Sequence, residues 1–176
     1  MKTFKDYLIE SAGGNYVCID APDLSDFWYR FGLQEPISGE APPNKDYHCT
    51  LIFSKGTDIN PKRVKSYIDT YFPKTVSAEV HGFECFDSIP KDGERDIAKS
   101  CIVMELDSTV LREMHKELKD LGLSHSYPEF RAHVTIRYNM SVEEAHFYKD
   151  KLNSMHISMK IPLSNFKSES INTNYV

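Results

Sequence analysis

The sequence predicts an α+β fold of two similar lobes that share one cleft. Two short stretches carry this prediction, His48–Phe53 (HCTLIF) and His133–Tyr138 (HVTIRY), because each sets a His-x-Thr tripeptide in an apolar run typical of a strand. The elements around them recur in the same order, strand, helix, His-x-Thr strand, helix and strand, and the two histidines are 133 − 48 = 85 residues apart. We therefore expect each lobe to contribute one strand to the cleft.

Length and composition are those of an ordinary globular protein. The chain has 176 residues, of which 40% are hydrophobic and 27% charged, which is enough for one domain with its own core or for two small lobes that share one. Its net charge of −5 gives no general attraction to polynucleotides, and we expect a small or single-stranded phosphate ester rather than long nucleic acid. The four cysteines form no CxxC pair, which is typical of a reducing cytoplasm. No apolar run reaches the roughly 20 residues that a membrane helix needs.

The first half of the chain opens with a short leader. Residues 1–14 place aromatic and apolar side chains at helical spacing and end in Gly13-Gly14, so we expect an N-terminal leader or helix there. The predicted elements that follow are a strand at 15–20, a helix from Asp23 to about Phe31, a proline-rich loop at 33–45 that can cover a site, the first His-x-Thr strand at 46–54, a helix from Asn60-Pro61 to about Phe72, and a strand at 75–86.

A polar segment at 87–98 divides the two halves, and the order then recurs. The predicted elements are a strand at 99–106, a helix at 109–121 capped by Ser108, the second His-x-Thr strand at 131–138, a helix that the capping box Ser141–Glu144 opens and that runs to about Asn153, and a closing strand at 156–169. We therefore predict a single domain at 15–176, with lobes at about 15–86 and 99–169.

Paired His-x-Thr motifs suit acid–base attack on a phosphodiester. Residues i and i+2 of a strand face the same side, so His48 lies beside Thr50 and His133 beside Thr135. One imidazole can take a proton from an attacking hydroxyl while the other gives a proton to the leaving oxygen. The threonine hydroxyls can donate to phosphate oxygens. We find no acidic cluster with metal-ligand spacing and expect neither a metal nor a cofactor. With a ribose 2′-OH as the nucleophile, this chemistry cleaves 3′–5′ linkages or opens 2′,3′-cyclic phosphates.

Several residues near the motifs have two interpretations. Arg137 lies four residues after His133 on the same predicted strand face, where it either binds a substrate phosphate or pairs with a carboxylate at the rim. Arg131 has the same two interpretations. Cys49 points away from its neighbours in the motif and is expected in the core. The aromatic residues that either stack a nucleobase or pack in the core are Trp28, Tyr47 and Tyr138.

The paired motifs and the element order resemble the two-histidine (2H) phosphoesterases, whose bilobal α+β fold has antiparallel sheets flanking a central cleft. Within that superfamily, the length, the leader and the HCTLIF…HVTIRYN context are similar to the anti-CBASS nucleases of T4-like phages. The resemblance implies catalytic roles for His48, Thr50, His133 and Thr135, with Tyr16 near the phosphate. It also implies an acidic residue and aromatic residues that hold bases near the C-terminus, for which the candidates are Glu169, Phe166 and Tyr175.

That group degrades the cyclic oligonucleotide messengers of bacterial antiphage signalling without metal. The resemblance therefore implies a nuclease for cyclic di- or trinucleotides in the host bacterial cytoplasm. Two alternatives stay open: an RNA 2′,3′-cyclic phosphodiesterase or 2′–5′ RNA ligase-like enzyme, and a non-enzymatic protein that sequesters a cyclic nucleotide or is packaged in a capsid. Packaging is suggested by residues 1–11, which resemble the capsid-targeting leaders of T4-like phages, and by Leu8-Ile9-Glu10, which is similar to their cleavage pattern. Packaging and catalysis are compatible with each other.

Overall fold

Six antiparallel strands and four α-helices make up the described part of the computed structural model, which covers residues 14–55, 59–90 and 97–171. In chain order the elements are β1 (Asn15–Asp20), α1 (Phe27–Arg30), β2 (His48–Ser54), α2 (Pro61–Tyr71), β3 (Thr75–Ser88), β4 (Lys99–Asp107), α3 (Thr109–Asp120), β5 (His133–Met140), α4 (Val142–Ser154) and β6 (Lys160–Ser170), with one 3-10 turn at Pro43–Lys45. The predicted α+β class and the repeated element order are confirmed. The predicted leader helix lies outside the described residues.

The three longer helices begin where their caps predict. Each capping side chain accepts a hydrogen bond from a backbone N–H of the first turn, which satisfies a donor that has no partner within the helix. The caps are Asn60, Ser108 and Ser141, and the N–H groups are those of Lys62, Leu111 and Glu144, in that order.

Two predicted boundaries are wrong for local reasons. The first helix is a single turn, Phe27–Arg30, and does not begin at Asp23, because the backbone N–H of Phe27 donates to the carbonyl of Leu24 and closes a turn ahead of it. The last strand begins at Lys160 and not at 156. His156 has φ +49, a left-handed conformation that is incompatible with a strand.

The strands form one closed antiparallel sheet in the order β1-β2-β5-β4-β3-β6, with β6 returning to β1. The last strand of each half pairs within the other half: β3 lies between β4 and β6, and β6 lies between β3 and β1. This exchange joins the strands of both halves in one sheet, where the sequence predicted a separate sheet in each lobe. If β1, β2 and β3 are exchanged with β4, β5 and β6, the order of strands around the closed sheet stays the same. That the two halves also form lobes of similar shape stays a prediction.

The shortest strand pairing in the closed sheet is that between β2 and β5, which pair through a single couple of residues, Cys49 and Val134. Loops complete the edges that these strands leave free. The backbone of Glu40 exchanges two hydrogen bonds of 2.8 Å with Tyr138 on β5, and the segment after α3 binds the backbone of Phe53 on β2. The two motifs therefore lie at the only direct junction between their strands.

A row of four fully buried side chains crosses the sheet at this junction: Ile19, Cys49, Val134 and Met104. The predicted core position of Cys49 is confirmed, and burial raises the pKa of its thiol to about 12. Because side chains alternate along a strand, the residues next to this row point to the opposite face of the sheet. That face carries both His-x-Thr motifs.

We expect Gly39→Ala to destabilise the fold more than Gly32→Ala. Both glycines have positive φ, +77 and +66, so strain costs about 1–2 kcal/mol in each variant. A Cβ on Gly39 would lie 2.3 Å from the backbone oxygen of Tyr138, whereas nothing lies within 4 Å of one on Gly32. The overlap should add about 1–3 kcal/mol of destabilisation. Urea denaturation measures the difference, and equal losses would contradict the close contact.

Candidate active site

The junction between β2 and β5 brings the four predicted catalytic residues together. Because the strands are antiparallel, the residues beside the central couple also face each other, His48 opposite Thr135 and Thr50 opposite His133. Opposite side chains on one face have Cβ atoms about 4.5–5.5 Å apart. Two imidazoles and two hydroxyls therefore alternate around one small area of the sheet.

Matching hydrogen bonds orient the two histidines. Nδ1 of His48 lies 3.1 Å from the carbonyl oxygen of Asp46, and Nδ1 of His133 lies 2.7 Å from that of Arg131. In both cases the carbonyl belongs to the residue two positions earlier. A carbonyl only accepts, so each Nδ1 carries the hydrogen and each neutral ring keeps its lone pair on Nε2. Both rings thus present Nε2 for proton transfer.

Each motif threonine is hydrogen-bonded to a tyrosine hydroxyl. The Thr50 hydroxyl donates to the hydroxyl of Tyr16 at 3.4 Å, and the hydroxyls of Thr135 and Tyr138 are hydrogen-bonded. Burial raises the pKa of both tyrosines well above 10, so both stay protonated near neutral pH and can donate. Tyr16 therefore lies beside Thr50 of the first motif. Its contact with a phosphate stays a prediction.

A bulge in β5 places Tyr138 on the face of the motif and Arg137 on the opposite face. Opposite β4, neighbouring Ile102 and Val103 face Arg137 and Thr135, so β5 has one extra residue there. The alternation of side chains shifts by one residue at such a bulge. As a result Tyr138, three residues after Thr135, shares the face of the motif. The prediction for Arg137 assumed an unbroken strand.

The Arg137 guanidinium binds the loop at 33–45. The side chain is buried, and its donors reach a carboxylate oxygen of Glu35 at 2.8 Å and the carbonyl oxygens of Pro36, Ser38 and Gly39 at 3.1, 3.3 and 3.3 Å. These contacts assign Arg137 to holding the loop. A direct role in substrate binding stays a prediction.

A second contact fixes the same loop to the start of α4. The carboxylate of Glu144 accepts the backbone N–H groups of Ile37 and Ser38, and the Ser38 hydroxyl accepts the N–H of Ser141. The predicted capping box is therefore only half formed, because its glutamate binds the loop instead of the helix. The loop lies beside the motif strands in a defined conformation.

Each histidine also faces an acidic residue on the outer neighbouring strand. Asp20 of β1 lies opposite His48, and Glu105 of β4 lies opposite His133. Burial lowers the pKa of His133. The positive charges of His48 and Arg131 act in the same direction, whereas the hydrogen bond to the Arg131 carbonyl and the negative charge of Glu105 oppose it. Local sequence patterns did not indicate either acidic residue, because the cross-strand register that places them is visible only in the fold.

The remaining sequence candidates divide between core and surface. Trp28 and Tyr47 are buried in the core, as one of their two interpretations predicted. Phe166 packs in the same core against Phe72, with ring centroids 5.8 Å apart. Glu169 of β6 lies opposite Tyr16 and keeps its predicted role as a candidate, whereas Tyr175 lies outside the described residues.

Two wider features of the described chain concern metals and membranes. Among the residues that the structure describes, no three His, Cys, Asp or Glu side chains form a group able to hold a metal ion. None of the helices at 14–55, 59–90 and 97–171 combines the length and the apolar character needed to cross a bilayer.

Acidification below pH 6.5 is expected to destabilise the protein through His125. The backbone N–H of Phe53 donates to Nδ1 of this ring at 3.2 Å, so that atom must be unprotonated in the fold. Burial, with the charges of His115 and Lys119, lowers the pKa of His125 from 6.5 to about 4. The unfolded chain takes up this proton near pH 6.5 and the folded chain only near 4, so stability is lost as the pH falls through this window.

The measurement is the thermal midpoint between pH 6.5 and 5, where carboxylates stay largely ionised. His125→Asn keeps an acceptor for the Phe53 N–H and removes the titration, so its profile should be flatter than that of the native protein. Parallel profiles for the two proteins would contradict the assignment to His125.

Two comparisons with known proteins point to the same family. The sequence model of the family described as anti-CBASS protein Acb1 matches residues 31–175. A curated relative, the anti-CBASS protein Acb1 of Vibrio phage KVP40, is 28% identical over 108 residues, which are 61% of this chain and 61% of the relative. The match thus spans less than two thirds of the relative's length. The family match includes both His-x-Thr motifs and the loop between α1 and β2.

Proposed function

Because the chain belongs to the anti-CBASS protein Acb1 family, we propose that it is a phosphodiesterase that hydrolyses the 3′–5′ bonds of cyclic di- and oligonucleotide messengers. This activity would counteract CBASS immunity by removing the messenger. The observation that carries the proposal is the junction of β2 and β5, where two imidazoles of matching tautomer alternate with two hydroxyls. The same paired motifs support placing the chain among the 2H phosphoesterases.

The proposed reaction uses a ribose 2′-OH as the nucleophile. One histidine Nε2 removes the hydroxyl proton as the 2′ oxygen bonds to the adjacent phosphorus, and the bond from phosphorus to the 5′ oxygen breaks. The other histidine protonates that leaving oxygen. The product is a linear nucleotide that ends in a 2′,3′-cyclic phosphate, which water can open by the same acid–base chemistry. Imidazoles supply both proton transfers, so no step requires a metal.

The hydroxyl groups of the site suit the charge that develops on the phosphate. Thr50 and Thr135 lie beside the histidines, and each is hydrogen-bonded to a protonated tyrosine, Tyr16 or Tyr138. Donors held in place before the reaction can stabilise the non-bridging oxygens in the transition state without reorganisation. We assign the two threonines to this task and propose that the tyrosines donate to the same phosphate.

The direct test incubates the protein with 3′,3′-cyclic GMP–AMP in the presence of EDTA. We expect a linear product with a 2′,3′-cyclic or 3′-phosphate end, and none with His48→Ala or His133→Ala. RNA that ends in a 2′,3′-cyclic phosphate is tested side by side and should react more slowly. The proposal is wrong if cyclic GMP–AMP stays intact, if both variants remain active, or if the RNA end is the better substrate.

The proposed function also implies where the protein acts. We propose that the protein acts in the host bacterial cytoplasm, where such messengers are made. Packaging in the virion through residues 1–11 is part of this proposal, and those residues lie outside the described part of the chain. Mass spectrometry of purified particles tests it, because a chain starting at Ser11 is expected there.

A further inference from the structure

The two histidines have matching hydrogen bonds but unlike charged surroundings. Each Nδ1 is bound by the carbonyl of the residue two positions earlier. That residue is an acid, Asp46, before His48 and a base, Arg131, before His133. The two otherwise equivalent rings are therefore placed next to charges of opposite sign.

Negative charge dominates around His48. A carboxylate oxygen of Asp46 lies 3.6 Å from its Nδ1, and Asp20 faces it from β1. Lys167 of β6 is the one cation that contacts these carboxylates among the described residues, at 2.8 Å from Asp20 and 3.9 Å from Asp46. Tyr16, which meets the ring edge-on at 6.1 Å, is neutral. Two carboxylates and one ammonium leave a net charge of −1 beside the ring, and such surroundings stabilise a neighbouring positive charge.

His133 is half-buried, and the charged groups around it carry no net charge. Arg131 forms an ion pair with Glu105, which faces the ring from β4. The ring of Phe86 on β3 meets the imidazole edge-on, with centroids 4.9 Å apart, and the Arg131 guanidinium lies over the same phenyl ring. Packing against a phenyl ring removes water without offering a counter-charge. A neutral ring is therefore favoured here, the more so when His48 is protonated.

We propose that His133 is the general base and His48 the general acid of the reaction, and that Asp46 and Arg131 are the positioning residues that fix this division. The inference rests on the proposed function and deepens it. Nε2 of His133 takes the proton of the 2′-OH as the new bond from oxygen to phosphorus forms. Nε2 of His48 gives its proton to the 5′ oxygen as the bond from that oxygen to phosphorus breaks. After product release, solvent restores both protonation states.

The sharpest test replaces the leaving oxygen. In a cyclic dinucleotide with sulfur at the bridging 5′ position, the leaving thiolate needs no protonation, so only the base remains necessary. We expect His48→Ala, slower by about 10²–10⁴-fold on the oxygen substrate, to come within about tenfold of the native rate on the sulfur substrate. His133→Ala should stay slow on both substrates. Rescue of His133→Ala, or equal behaviour of the two variants, overturns the division but leaves the proposed function standing.

Failure of the proposed function has a different signature, because the native protein would then cleave neither substrate. The two outcomes are thus separable within one experiment. Circular dichroism of both alanine variants establishes that they are folded. For a variant that is unfolded, the corresponding His→Asn substitution replaces it, since an amide can keep the Nδ1 hydrogen bond to the carbonyl.

The positioning residues are tested by the pH dependence of kcat/KM. Activity should fall at low pH as the base takes a proton and at high pH as the acid loses one. Asp46→Asn is expected to move only the alkaline limb, to lower pH, and Arg131→Gln only the acidic limb, to higher pH, each by about one pH unit. A merely structural role would lower the rate without moving a limb. Movement of the opposite limb in either variant overturns the division.

Matched controls use surface ion pairs outside the two motif strands. Asp69→Asn removes a carboxylate that pairs with Lys65 on α2, and Arg30→Gln removes a cation that pairs with Asp26. Both limbs should stay in place in these variants. A shift in the controls equal to that in the test variants contradicts local tuning by Asp46 and Arg131.

Discussion

His133→Asn is expected to lower kcat for a cyclic dinucleotide by about 10²–10⁴-fold. The asparagine amide can keep the hydrogen bond that Nδ1 makes to the Arg131 carbonyl at 2.7 Å, but it has no group in the place of Nε2. The fold should therefore be retained while the group that moves the proton is lost. Initial rates from chromatography of the linear product, measured over a range of substrate concentrations, separate kcat from KM.

The control for this substitution is His156→Asn. His156 has φ +49, a conformation that asparagine tolerates well, and it follows α4 outside both motif strands. Its kcat should equal that of the native protein. Retention by His133→Asn of more than a tenth of the native kcat would remove this histidine from the chemistry.

Arg137→Met is expected to lower the free energy of unfolding by about 2–4 kcal/mol. Methionine replaces much of the aliphatic stem, but the guanidinium donors that bind Glu35 and three carbonyl oxygens of the loop are lost. Glu35 is 72% exposed and can return to water, whereas the carbonyl of Pro36 lies in a buried contact. Urea denaturation, followed by circular dichroism, measures the loss.

Arg30→Met is the matched control for Arg137→Met. Its guanidinium pairs with Asp26 at 3.4 Å on the exposed side of α1, and such surface pairs contribute less than about 1 kcal/mol. Equal losses in the two variants would contradict the buried role of Arg137. Arg137→Lys separates the two interpretations of this residue, since a KM increase with unchanged stability would support the predicted phosphate contact.

The parts of the fold that local sequence determines were predictable. Asn60, Ser108 and Ser141 cap their helices as expected, because a cap depends on residues within one turn. The His-x-Thr spacing also sufficed to place imidazole and hydroxyl on one face, because strand alternation depends on backbone geometry alone.

The rest depends on contacts that are distant in sequence. The bulge that exchanges Arg137 for Tyr138 arises from the register against β4, and no residue type within β5 marks it. Asp20 and Glu105 reach the histidines only through pairing with strands far along the chain. The exchange of β3 and β6 between the halves likewise has no local signal. Patterns predicted the two motifs, but the acidic residues that face their histidines could be identified only in the fold.

The exchange of strands also governs when the site can exist. Asn15 near the start of the described chain pairs with Ser170 near its end, so the ring of strands closes only when both are present. Pairings so far apart in sequence form slowly, because the entropy of closing long loops is lost before the contacts stabilise the chain. On the ribosome, β1 and β2 emerge long before their partners β6 and β5. The first histidine is therefore synthesised well before the strands that complete the candidate site, which can form only after β6 has emerged.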